Sequence, residues 1–210
     1  YHILGQGKTN YLPDDEFLDA HFHLYFCNQI NDIWRAYRQR DALYFGSNVA
    51  LYNYLLEDFF VASKIPEGFL CTNDIIEYID SLSECIKIWF VINNPEKSGH
   101  TTEVVEYIRK INYLLSPKRP GPVRIIGGLR VDLHKVLLLA CLQKCTDELT
   151  LLKLLKSFEK FLFIVSFIPA ECFERNYSII DLDVTDILRK LNKGDMVVAG
   201  VKEKIDRVTS

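Results

Sequence analysis

The chain lacks an apolar run that could span a bilayer. A membrane helix needs about 18–20 consecutive apolar residues, and the best stretch here, Phe161–Ile168, is eight residues long and contains Ser166. No secretory signal opens the sequence. Paired-cysteine signatures are missing too. Cys27, Cys71, Cys85, Cys141, Cys145 and Cys172 form no Cys-x-x-Cys pair and sit in apolar stretches. They read as reduced, buried thiols of a cytoplasmic protein, not as a disulfide framework. A large excess of positive charge is also absent. The net charge of −3 argues against a strongly basic nucleic-acid binder and leaves room only for local patches. Alternating strand patterns are nearly missing, and "PVRIIGG" (122–128) is the one candidate for a short strand or hairpin.

What is present is helical periodicity. Ile75, Ile79, Leu82, Ile86 and Trp89 recur at helical steps, with Asp74 and Glu77 at the start and Asn93-Asn94-Pro95 at the end. Leu151, Leu155, Phe158, Leu162 and Val165 repeat the rhythm after Thr146, the expected cap, with Asp147 and Glu148 in an acidic first turn and Pro169 as the stop. Val104, Ile108, Ile111 and Leu115 form a face opened by Thr101 or Thr102, and 133–142 reads as a further helix. Near the start, Pro13 and the acids 14–16 favour a helix carrying Phe17, Leu18, His21, Phe22, Leu24 and Tyr25, continued by Ile30, Ile33, Trp34 and Tyr37. Helices are expected at 49–60 and 183–191, while the region from Gly194 is ambiguous. The fold class is therefore all-α, an irregular bundle of about eight helices.

With 210 residues, 49% hydrophobic and 25% charged, the chain is ordinary for a globular protein. It is long enough to bury roughly 70% of the surface its unfolded form exposes. One helical domain over 1–210 is expected, with "SPKRPGP" (116–122) as a surface loop or a hinge. The first residue is Tyr1, and the chain is expected to be an excised segment of a longer protein.

The stretch "DAHFHLYFC" (19–27) concentrates polar chemistry. On a helix His21 and His23 point about 200° apart and cannot chelate one ion together. Asp19, His23 and Cys27 do share a face, so a metal-dependent enzyme built on that stripe is one reading. Zinc usually takes four ligands from more than one element, and no partner cluster is evident. The expectation is a packed helix with His21 on the apolar face, Asp19 and His23 on a wetter one, and no metal or cofactor. "GQGKT" (5–9) ends like a phosphate-binding loop, but His2 stands where the pattern needs glycine and Pro13 follows too soon. Cys141 and Cys145, one turn apart with His134 on the same broad face, read as core thiols. Arg35, Arg38 and Arg40, interleaved with Trp34 and Tyr37, make a basic-aromatic patch; Lys118, Arg119, Arg124 and Arg130 make another. Both are candidates for phosphate contact. No Ser-His-Asp, Cys-His or paired-carboxylate set can be assembled from spacing, so no catalytic residue is assigned.

Three stretches, in order, carry a resemblance: "LPDDEFLDAHFHLYF" (12–26), "NDIIEYIDSLSECIKIWFVINNP" (73–95) and "KVLLLACLQKCTDELTLLKLLKSFEKFLFIVSF" (135–167). Together they resemble the helical region of the S-type subunit of GmrSD-like modification-dependent restriction systems. The matching residues are Phe17, Leu18 and His21; Ile75, Tyr78, Leu82, Asn94 and Pro95; and Phe158, Glu159 and Phe161. The resemblance covers roughly residues 12–190. It implies a non-catalytic scaffold or recognition module in a phage-defence protein, partnered by nucleotide-binding and nuclease domains and by DNA. The family's Asp-Gly-Gln-Gln-Arg motif and any His-Asn-His set are absent, so no catalytic role carries over. A stand-alone helical protein–protein interaction domain is the alternative that needs no family at all.

Overall fold

The structure is a computed structural model and describes residues 13–30, 32–33, 59–60, 72–115, 133–167 and 182–209. Among these residues it is all-α, with seven helices and no strand. They are α1 (Pro13–Tyr25), α2 (Thr72–Asn93), α3 (Thr102–Leu115), α4 (Leu133–Lys144), α5 (Glu148–Phe167), α6 (Val184–Lys193) and α7 (Val198–Thr209). The expected helix at 49–60, except Phe59 and Phe60, lies outside the described residues, as do the candidate strand at 122–128 and the loop at 116–122. No described helix is long and apolar enough to cross a membrane.

The chain divides into two compact units, residues 1–87 with 128–131 and residues 88–127 with 132–210. In the first unit, Phe22, Phe26, Ile30, Ile33 and Tyr78 form a buried cluster, with Tyr25, Phe59 and Phe60 packed against it. The rings meet tilted or edge-on: Phe22 and Phe26 at 4.7 Å, Phe26 and Phe59 at 5.0 Å, Phe60 and Tyr78 at 5.1 Å. Such arrangements suit the ring quadrupoles and add about 0.5–1.5 kcal/mol per pair beyond area burial.

The second unit is organised by α5. Its buried stripe, Leu151, Leu154, Leu155, Phe158, Phe161, Leu162 and Val165, packs against α3 and α7. From α3 come Val104, Ile108, Ile111 and Leu114, and from α7 come Val198, Val201 and Ile205. Helix α4 packs on α6. The Asp183 side chain caps α6 by accepting from the Asp186 N–H at 2.8 Å, and Gly194 closes the helix in the left-handed region at φ 78°. Glycine suits that position because it has no Cβ to clash there.

Helix α2 ends where the prolyl signal places it. Asn93 is its last residue, the Asn93 and Asn94 amides donate back to the Trp89 and Phe90 carbonyls, and Pro95 opens a single 3-10 turn. Its buried face differs from the expected one. Tyr78, Cys85, Trp89 and Ile92 are buried, whereas Ile75, Leu82 and Ile86 are half-buried and Ile79 is 54% exposed. Apolar side chains surround much of this helix, so the period identifies a helix without choosing which adjacent arc meets the core. Another difference lies at the start of α5. Asp147 is the cap, accepting from the Thr150 N–H at 2.8 Å, and Thr146 stands one residue before it. The ambiguous C-terminal region is helix α7.

Candidate functional site

Helix α1 carries the densest polar chemistry among the described residues of the first unit, and most of it is buried. Phe17 and the six consecutive residues from Asp19 to Leu24 are all buried. The expectation of a wetter face for Asp19 and His23 is therefore corrected, since they are only 2% and 5% exposed. A helix with one wet face would expose one side chain in each turn, and the turns from Asp19 to Leu24 expose none.

Each histidine has a defined contact. His21 Nε2 and the Ser81 hydroxyl are hydrogen-bonded at 3.1 Å, which ties α1 to α2. The His21 ring lies edge-on to Tyr78 at 5.0 Å and tilted to Tyr25 at 5.7 Å. Burial pushes the His21 imidazole down to about 4, so the ring is neutral at pH 7. His23 Nδ1 donates to the Asp19 carbonyl at 2.9 Å. A carbonyl only accepts, so the proton of neutral His23 sits on Nδ1. Burial lowers the His23 pKa, against a smaller upward effect of that backbone bond.

The helical stripe of Asp19, His23 and Cys27 does not run its full length. Helix α1 ends at Tyr25, and Cys27 lies in the turn that follows. His23 has committed one ring nitrogen to its own helix backbone. Among the described residues no group of three or more histidine, cysteine or acidic side chains is placed to hold a metal ion.

His21 and Ser81 are a pairing that spacing could not supply. Chemically it is a base beside a hydroxyl, the first two parts of a nucleophilic triad. The remaining parts do not follow. His21 Nδ1 has no hydrogen-bond partner among the described residues, so nothing there orients the ring as a carboxylate would. Ser81 sits in the middle of α2, where neighbouring backbone N–H groups are spent on the helix ladder and cannot form an oxyanion hole. The pair is a partly buried interhelical tie.

In the second unit, Cys141 is buried, and its burial pushes the thiol up to about 12. Cys145 is only half-buried and follows α4, its Sγ donating to the Asp147 carbonyl at 3.2 Å. It is thus not the core thiol expected. Burial raises its pKa as well, and both cysteines are free thiols. A protonated thiol is a poor nucleophile, so neither has the electropositive setting of a reactive cysteine. His134 packs its ring 5.6 Å from Phe161.

Arg35, Arg38, Arg40, Lys118 and Arg119, with Arg124, Arg130 and the "GQGKT" stretch, lie outside the described residues. Several charges of the described surface can be placed. Glu77, Asp80 and Glu84 are exposed on α2. In the second unit Arg109, Lys110 and Lys156 pair with Glu96, Glu106 and Glu103. Lys190 and Lys204 share Asp186, and Lys202 pairs with Asp206. Cations already facing carboxylates contribute little net field to a polyanion.

Two further contacts have no counterpart in the sequence reading. The Lys135 ammonium sits 4.3 Å above the Trp89 ring, and the Asn112 amide donates to the Ile92 carbonyl. The only sequence sign of either was residue type: tryptophan for a cation, asparagine on an otherwise apolar helix face.

The chain matches no family model, no curated protein and no solved structure.

Proposed function

We propose that this chain is a non-catalytic helical scaffold and recognition module of a GmrSD-like modification-dependent restriction protein, acting in the cytoplasm on foreign DNA. The observation that carries this reading is the order of the three sequence stretches, together with what their residues do. Phe17 and His21 are buried on α1, and Tyr78, from the second stretch, packs against His21. Phe158 and Phe161, from the third, stack in the core of the second unit at 6.4 Å. Phe17, His21, Tyr78, Pro95, Phe158 and Phe161 of the resemblance are buried and Leu18, Ile75, Leu82, Asn94 and Glu159 are half-buried, a mainly structural set that suits a part positioning chemistry located in neighbouring nucleotide-binding and nuclease domains. Contact with DNA is assigned to Arg35, Arg38, Arg40, Lys118 and Arg119, the basic residues that the sequence clusters beside Trp34 and Tyr37 and in the proline-rich stretch.

The test is made on the purified chain. It should neither hydrolyse nucleoside triphosphates nor cut DNA with magnesium. Its binding to duplex DNA should be weak and fall steeply with salt. Changing Arg35, Arg38, Lys118 and Arg119 together to alanine should remove that binding and flatten its salt dependence. Cleavage by the chain alone, or binding untouched by the four changes, overturns the reading.

A second reading, a helical protein–protein interaction domain outside any defence system, is favoured by apolar side chains left on the surface. Ile76 and Ile79 on α2 are 50% and 54% exposed. Retention of a partner by the wild-type chain, lost on Ile76→Asp with Ile79→Asp and unaffected by DNA, would support it.

A further inference from the structure

We draw no further inference here: the strongest candidate, the exposed face of α2 that carries Ile76 and Ile79 beside Glu77, Asp80 and Glu84, has nothing in the structure to show what covers it.

Discussion

His21 and Ser81 are 60 residues apart in sequence and 3.1 Å apart in space, and their hydrogen bond joins two helices of the first unit. The imidazole is fully buried, so the serine hydroxyl meets a polar demand that water cannot. Ser81→Ala should destabilise the chain by about 1–3 kcal/mol, the cost of leaving a buried ring nitrogen unmet. Ser81→Thr, which keeps the hydroxyl, should cost less. Denaturant midpoints of the three proteins decide this, and equal midpoints for wild type and Ser81→Ala would show that the bond contributes nothing.

The same residue gives the chain a pH dependence with a definite sign. His21 titrates at about 4 when folded, against 6.5 for the free side chain. Between those values the unfolded chain binds a proton that the folded chain refuses. This contribution to stability is therefore complete above pH 6.5, is lost as pH falls, and levels off near pH 4. His23 is shifted in the same direction. Going from pH 7 to pH 5, wild type should lose about 2 kcal/mol more than His21→Gln. Parallel losses in the two proteins would place the acid sensitivity elsewhere.

Phe158 lies at the centre of the second unit, 2% exposed and stacked on Phe161. Phe158→Ala should cost about 3–5 kcal/mol through lost transfer energy and the cavity left behind. Phe158→Leu should recover part of that loss. Thermal melting resolves both, and an unchanged transition in Phe158→Ala would mean that the core has been placed wrongly.

The cap of α5 separates two adjacent residues. Asp147 accepts from both the N–H and the hydroxyl of Thr150, while Thr146 lies outside the helix. Asp147→Ala should lower the thermal midpoint measurably, and Thr146→Ala should leave it in place. The reverse order would restore Thr146 as the cap.

Helices were legible in the sequence wherever period and punctuation agreed. Pro13, Pro95 and Gly194 stand at real boundaries of α1, the turn after α2, and α6. Faces were legible only where the apolar stripe is narrow. On α3, Val104, Ile108 and Ile111 are buried as their spacing implies, although the last place is taken by Leu114 and the expected Leu115 is half-buried. On α2 the isoleucines wrap around the helix, and the core took Tyr78, Cys85 and Ile92 instead. The region of α7 was ambiguous because Val198, Val201 and Ile205 are separated by charged residues and Gly200, although their steps of three and four carry the helical period. The burial of Asp19 and His23 was not legible at all. It depends on how many elements surround α1, and a local pattern does not encode that. The link between His21 and Ser81 was hidden for a related reason, since contacts between distant segments leave no mark in spacing.

The reading of the chain as a restriction-system module is tested most directly by sequencing the gene that encodes it, beyond both ends of the 210 codons. The expected result is one continuous reading frame with an Asp-Gly-Gln-Gln-Arg motif in a ParB-like region upstream of Tyr1. A reading frame that starts immediately before Tyr1 and carries no such region would contradict it.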